Sequence, residues 1–260
     1  MNRRIGILGL SLWSGLVGLA SLTSAGVASA QGAPRSFAVY SEVAREISVV
    51  TFQEATGSRL DTNLVTRIPI PKAALDQTVQ VLARQEVGKT DPGGKSWLIA
   101  PLDSDLFDAR GAYVEGSTVT LPADLKAAMK ERGLSHLLLF TRYRSDAALK
   151  AVNGMVGTGQ LEGLGFYIDR QSPIKVKDSR MEGVGFLAPY LYVRVTLIDG
   201  ATGRVLRSRR VVEGHVIANA RPQGTAADPW EVMTPVEKVQ RLSDMIMVEI
   251  GKVLPEVLAP

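Results

Sequence analysis

The 260-residue sequence contains no cysteine and has two histidines. The lack of cysteine excludes disulfide bonds, a cysteine nucleophile, thiolate metal ligands and a lipid anchor on an amino-terminal cysteine. The sequence also lacks a nucleophile elbow, a Walker phosphate loop and a paired metal-binding histidine motif. We therefore predict no catalytic residue, no metal ligand and no cofactor, and we favour a binding role over an enzymatic one.

The first 30 residues have the pattern of an export signal. Arg3 and Arg4 precede an apolar stretch over residues 5–22, and Ala28-Ser29-Ala30 offers a small-residue cleavage site before Gln31. We expect a periplasmic protein whose mature chain is residues 31–260. The alternative is that the apolar stretch is retained as a membrane anchor.

The charge of the mature chain argues against a nucleic-acid partner. Residues 1–30 contain no Asp or Glu, so removing Arg3 and Arg4 lowers the formal net charge from +4 to +2. A weakly basic exported chain is not typical of nucleic-acid binding.

Hydrophobic periodicity predicts alternating strands and helices in the first part of the chain. The predicted strands cover residues 36–43, 47–53, 96–102 and 134–144, and the predicted helices cover residues 72–86 and 121–132. Residues 64–70 are interpreted as a short strand or an extended segment. This order predicts early βαβ units with right-handed crossovers and parallel strands.

A long antiparallel hairpin and a closing helix follow. Tyr190 to Val212 alternates apolar and polar residues around a turn with Asp199-Gly200 and Thr202-Gly203. Thr234-Pro235-Val236-Glu237 is a capping box with proline at the first helical position, and Pro255 should end that helix after Leu254. The predicted fold class is α/β, a mixed sheet with helices packed on it, early βαβ units, a long late antiparallel hairpin and a C-terminal helix.

A Gly-rich insertion over about residues 145–186 separates the two parts of this predicted single domain (residues 31–260). Two similar pentapeptides, at 162–166 and 182–186, flank a basic loop at 170–180. A mobile flap and an irregular loop are both open interpretations. Gly157-Thr158-Gly159 does not match a dinucleotide fingerprint, since no strand–turn–helix pattern surrounds it.

Several short segments carry a family resemblance. They are Val49-Val50-x-Phe52 followed by Thr56-Gly57, the predicted helix 72–86, the run Gly133 to Leu139, and Val193-x-Val195-x-Leu197-x-Asp199-x-x-Thr202-Gly203-x-Val205-Leu206. This pattern resembles the fold family of the TolB amino-terminal domain and of the curli-secretion and peptidoglycan-synthase-activator lipoproteins. The resemblance implies a non-enzymatic part in envelope assembly or protein binding, and it transfers no functional residue. The lipidation cysteine of those lipoproteins is absent, and Pro69 and Pro71 interrupt the region where their first helix begins.

Arginine and tyrosine residues form the candidate binding site. If neighbouring strands align, they share a sheet face opposite the helices, and this face would engage an envelope protein or a cell-wall component. The candidates are Tyr190, Tyr192, Arg194, Arg207, Arg209, Arg142 and Arg144. Arg and Tyr are favoured in interfaces and in binding anionic groups. The alternative is a solvated face with ordinary charges.

One alternative function is a periplasmic hydrolase or metal-dependent enzyme. Glu213 and His215 share a strand face and offer two possible ligands, but no third ligand is evident from the sequence. Ser135 and His136 are adjacent on a strand and point to opposite faces, so a structural role is favoured for His136.

Overall fold

A mixed β-sheet with its longest strand near the centre forms the frame of the molecule. The computed structural model describes residues 34–54, 62–70, 74–100, 106–107, 111, 113–175, 182–218 and 228–260. The predicted export signal, Thr56-Gly57 and the tip of the predicted basic loop lie outside these residues. Pro34 to Pro260 belong to one compact unit. Within the described ranges, no helix has the length and apolar character needed to cross a membrane.

The elements follow the predicted order closely. The strands are β1 (Ser36–Ser41), β2 (Glu46–Thr51), β3 (Leu64–Pro69), β4 (Lys95–Leu98), β5 (His136–Arg142), β6 (Arg144–Asp146), β7 (Leu149–Ala151), β8 (Gly154–Val156), β9 (Gln160–Lys175), β10 (Glu182–Asp199), β11 (Val205–Gly214) and β12 (Ile217–Ala218). The helices are α1 (Ala74–Thr90), α2 (Ala123–Glu131), a 3₁₀ turn (Pro229–Val232), α3 (Pro235–Met245), a π-helical segment (Ile246–Ile250) and α4 (Gly251–Leu258).

The sheet has the order β3-β2-β9-β10-β5-β1-β4, and β11 also pairs with β10. Strand β1 is parallel to both β4 and β5, which confirms the predicted early βαβ units. Strand β9 pairs with residues 182–192 of β10 and β5 pairs with residues 193–199, so these two strands lie end to end along one edge of β10. Strand β11 pairs antiparallel along the other edge, which confirms the predicted late hairpin.

A buried carboxylate fixes the bend between β1 and β2. Asp76, in the first turn of α1, accepts hydrogen bonds from the Ser41 hydroxyl and from the N–H groups of Val43 (2.9 Å) and Ala44 (3.2 Å). Burial raises the pKa of Asp76 above its ordinary value, despite these donors. Because of this bend, β1 continues directly into β2. Strand β1 pairs with β5, and strand β2 pairs with β9.

The closing helix and the hairpin build the main core. Leu191, Val193, Val195 and Leu197 lie in one cluster with residues of the closing helix, as predicted. The capping box is present, with the Thr234 side chain and the Glu237 side chain each bonding the other's backbone N–H. The helix does not end at Leu254 as expected: it continues through Pro255 to Leu258. Burial of Val257 and Leu258 offsets the backbone hydrogen bond that proline cannot donate.

The Gly-rich stretch folds into paired strands, where we expected a loop or flap. Its described residues form β6 to β9 and the start of β10, and β9 and β10 pair as an antiparallel hairpin. Glycine at 165 is a steric requirement, because a Cβ there would lie 1.8 Å from the Ser48 carbonyl oxygen. Gly185 has a φ of 83° and sits at a register shift between Val184 and Phe186.

Candidate functional site

The register of the hairpin decides which predicted site residues meet. Leu197 pairs with Arg207 and Val195 pairs with Arg209, and the register shifts between Leu197 and Ile198. Directly opposed residues in a sheet share a face, so both arginines lie on the helix-covered face with the core leucines and valines. The expected single Arg/Tyr face is therefore wrong for Arg207 and Arg209.

These two arginines hold the end of the closing helix. Arg207 donates from Nη2 to the Pro260 carbonyl oxygen at 2.7 Å and from Nη1 to that of Ala259. Arg209 donates from Nε to Glu256 at 3.1 Å and from Nη1 to Glu115 at 2.8 Å. Cations at a helix C-terminus satisfy its last carbonyl groups and favour its dipole. The contacts of Arg207 and Arg209 are those of structural residues.

The two tyrosines of the predicted face are interior residues. Tyr190 and Tyr192 are both 0% exposed, in a cluster that includes Leu149 and Leu161 from the segment containing β6 to β9. The Tyr192 hydroxyl accepts from the Ala148 N–H at 2.8 Å, and that of Tyr190 donates to the Ser48 carbonyl oxygen at 3.4 Å. Burial raises the pKa of both phenols. Their exposure was predicted wrongly, because the β6–β8 segment covers this part of the sheet.

Arg142 and Arg144 lie at the junction where β5 ends and β9 begins. Arg142 pairs with Glu46 at 3.2 Å and Arg144 donates to the Gln160 amide oxygen at 3.3 Å. A small cavity of about 90 Å³ lies beside them and is also lined by Tyr190. These residues are thus grouped apart from Arg194 and do not extend one common face.

Arg194 is the predicted residue that lies in an open cleft among tyrosines. Its guanidinium carbon lies 4.9 Å from the ring centre of Tyr143 and 5.3 Å from that of Tyr113. Arg210 is directly opposite Arg194 across the hairpin, 5.4 Å from the Tyr143 ring, and donates to its hydroxyl at 2.9 Å. We call Arg194, Arg210, Tyr113 and Tyr143 the Arg–Tyr cluster.

Four parts of the chain position the Arg–Tyr cluster: the β5–β6 connection, the segment around Tyr113, and strands β10 and β11. Tyr143 lies between β5 and β6, where its N–H donates to the Tyr192 carbonyl oxygen at 2.9 Å. The segment that carries Tyr113 follows the edge of β11, because the Gly116 N–H donates to the Val205 carbonyl oxygen at 2.8 Å. Arg194 also donates from Nη1 to the Gly111 carbonyl oxygen.

Sequence reasoning missed Arg210, Tyr113 and Tyr143. Strand alternation places Tyr143 on the face opposite Arg142 and Arg144, so its position beside Arg194 could not be found without the register of β5 against β10. Arg210 could not be found either, because its position opposite Arg194 depends on the hairpin register.

The electrostatics of the Arg–Tyr cluster favour an anion. In the part of the chain that the structure describes, neither Arg194 nor Arg210 forms an ion pair with a carboxylate, whereas Arg209 has two such partners. Burial lowers the pKa of the half-buried Arg194 and the nearby Arg210 charge adds to this, yet a guanidinium stays charged at neutral pH. Hydrogen bonds from the Ser208 N–H and from Arg209 lower the pKa of Glu115. The Glu115 carboxylate forms its ion pair with Arg209 and not with Arg194 or Arg210.

The cleft beside the cluster has the size of a ligand site. Its volume is about 470 Å³, and it is lined by Tyr113, Val114, Glu115, Arg194, Ser208, Arg209 and Arg210. Ligand clefts commonly have volumes of about 300–1,000 Å³. Guanidinium groups bind carboxylates and phosphates with paired hydrogen bonds, and tyrosine rings add flat contact area.

Glu213, one of the two possible metal ligands, already forms an ion pair with a lysine. Glu213 Oε2 lies 3.5 Å from His215 Nε2, but Lys150 Nζ lies 2.7 and 2.6 Å from the two Glu213 oxygens. A metal ion at Glu213 would have to displace this ammonium group. No group of three or more potential ligands of the His, Cys, Asp or Glu type occurs among the described residues. The hypothesis of a metal-dependent enzyme stays a prediction.

Comparisons with known proteins show faint structural similarity. No protein-family model and no curated protein matches the sequence. Similar solved structures include the PelC dodecamer from Paraburkholderia phytofirmans, with 12% identity, a TM-score of 0.33, and coverage of 87% of this chain and 89% of that chain. Another is a putative neuraminyllactose-binding hemagglutinin homolog from Helicobacter pylori, with 9% identity, a TM-score of 0.38, and coverage of 85% and 86%. Similarity at this level carries no argument about function, and the resemblance to the TolB-type family stays a prediction.

Proposed function

We propose that this chain is an exported cell-envelope binding or assembly module without catalytic activity, which captures an anionic group of an envelope protein or cell-wall component at the Arg–Tyr cluster. The export-like amino terminus and the absence of catalytic motifs from the sequence support this reading. The observation that carries it is the pair Arg194 and Arg210, which face each other across the hairpin without a carboxylate partner in the described ranges.

The arrangement of this pair differs from that of an arginine used for stability. Partial burial of a guanidinium has a desolvation cost, which an ion pair or hydrogen bonds normally offset. Half-buried Arg194 has no ion pair among the described residues; it rests against tyrosine rings, as the exposed Arg210 does, a contact worth about 0.5–2 kcal/mol. Each guanidinium has five N–H donors, and the described contacts of each use one of them. The remaining donors can serve a carboxylate or phosphate in the cleft.

The test compares two variants that lose the same charge. Arg194→Ala/Arg210→Ala removes both guanidinium groups of the cluster, and Arg84→Ala/Arg132→Ala removes two exposed arginines elsewhere. Each protein is purified after export and tested for capture of envelope proteins from a detergent extract and, separately, for sedimentation with peptidoglycan sacculi. A charged hydrogen bond is worth about 1.5–3 kcal/mol, so we expect the cluster variant to bind at least about tenfold more weakly. The control should bind like the parent.

The two assays identify the class of partner as well as the site. Loss of capture in the extract alone indicates a protein partner, and loss with sacculi alone indicates a cell-wall component. Equal loss in both double variants would show that net charge, and not the cluster, causes binding. Unchanged binding by the cluster variant would overturn the proposed site.

A further inference from the structure

The end strand of the sheet, β3, is exposed on both of its faces. All six of its residues are exposed, including Leu64 at 55%, Val65 at 47% and Ile68 at 37%. Strand β3 pairs with β2, and no other described strand pairs with it. Exposed apolar edge strands are templates for pairing with another chain, and a charged residue or a proline commonly limits such pairing. Strand β3 carries Arg67 and Pro69, yet its apolar side chains remain exposed and its edge stays open at Val65 and Arg67.

The backbone of β3 shows which groups point outward. The Ile70 N–H donates to the Arg45 carbonyl oxygen at 2.8 Å, on the continuation of the β2–β3 register. Hydrogen-bonded pairs alternate in an antiparallel ladder, so Ile68, Thr66 and Leu64 also bond to β2. The N–H and C=O groups of Val65 and Arg67 consequently point away from β2. Pro69 ends the strand without a donor.

These outward groups are complementary to a second copy of the same strand. We propose that two copies of this protein associate through antiparallel β3–β3′ pairing about a two-fold axis at Thr66. In that register Val65 exchanges both backbone hydrogen bonds with Arg67 of the other copy. Leu64 and Ile68 share the face that Thr66 occupies, so each Leu64 packs against Ile68 of the second copy. The arrangement is isologous and closes at two copies.

The expected dimer is weak. Six residues of strand span about 20 Å, and a contact of that length buries less than the roughly 800 Å² per partner of a standard interface. Association should therefore depend on protein concentration. The proposal is independent of the Arg–Tyr cluster, so either one can fail without the other.

The absence of cysteine permits a direct test of the register. Thr66→Cys places its single thiol opposite itself in a non-hydrogen-bonded pair, where Cα atoms lie about 4.5 Å apart and a disulfide can form. Leu64→Cys and Ile68→Cys should not cross-link alone but should cross-link when mixed. The full chain is exported, purified and oxidised at several concentrations, and products are separated by non-reducing electrophoresis. Equal cross-linking of Leu64→Cys alone, or none by Thr66→Cys, would overturn the register.

A charge swap tests the same pairing without covalent chemistry. Val65→Glu would place a carboxylate opposite Arg67 of the second copy, and Val65→Lys would place an ammonium there. Sedimentation velocity over a concentration series should show tighter association for Val65→Glu and a monomer for Val65→Lys. Urea unfolding of both variants checks that each is folded. A parent that is monomeric at every concentration, or an equal shift by both variants, would refute β3 pairing.

Discussion

The two faces of the β10–β11 hairpin are built from similar residue types, but they have different surroundings. On one face, Leu191 and its apolar neighbours are sealed by the closing helix, and Arg207 and Arg209 bond the end of that helix. On the other face, Tyr190 and Tyr192 are sealed by β6 to β8, while Arg194 remains at an open cleft. The difference shows that arginines of one hairpin have unlike surroundings, which residue type and spacing alone do not reveal.

A substitution in the helix-covered face of the hairpin should have the largest effect on stability. Leu191 is fully buried between the sheet and the closing helix. Leu191→Ala should lower the free energy of unfolding by about 2–5 kcal/mol, because the lost transfer energy adds to the cost of a cavity. Urea unfolding measures this, and Val184→Ala, at a residue 63% exposed, should stay within about 0.5 kcal/mol of the parent. Similar losses in the two variants would contradict the assignment of this core.

Removing one hydroxyl tests whether the tyrosines of the second face are structural. Tyr192→Phe leaves the Ala148 N–H without its described acceptor, so stability should fall by about 1–2 kcal/mol. Tyr143→Phe is the matched control, because its hydroxyl forms an exposed hydrogen bond with Arg210 beside the open cleft, and its effect should be below about 0.5 kcal/mol. Thermal or urea unfolding of both variants decides the matter. A larger loss for Tyr143→Phe would make the Arg–Tyr cluster part of the core.

The sequence predicted the frame well because its signals were local. The alternation in Val193 to Leu197 and the capping box at Thr234 each need only a few neighbouring residues to be recognised. The parallel pairing of β1 with β5 followed from the order of strands and helices. These features are set by backbone periodicity and hold in the structure.

The candidate site was predicted less well because it depends on relations between distant segments. The register shift between Leu197 and Ile198 places Arg207 on the helix side, and a one-residue change of register reverses every face. Tyr113 meets Arg194 across the fold, beyond the reach of local spacing. Glycine lowers strand propensity, so the Gly-rich stretch was interpreted as a loop, although Gly165 is needed where β9 passes close to Ser48.

Removing one arginine from each face of the hairpin tests the difference between the two faces most directly. Arg207→Ala removes donors to the Ala259 and Pro260 carbonyl oxygens and should lower stability by about 0.5–1.5 kcal/mol, with faster hydrogen exchange in the last turn of α4. Arg210→Ala should lower stability by at most about 1 kcal/mol, because Arg210 is exposed and its contacts, with the ring and hydroxyl of Tyr143, lie at the surface. The same Arg210→Ala protein should lose envelope capture, and Arg207→Ala should retain it. If Arg210→Ala were the more destabilising of the two, the cluster would be a structural support, and the proposed binding site would have to be abandoned even if capture fell.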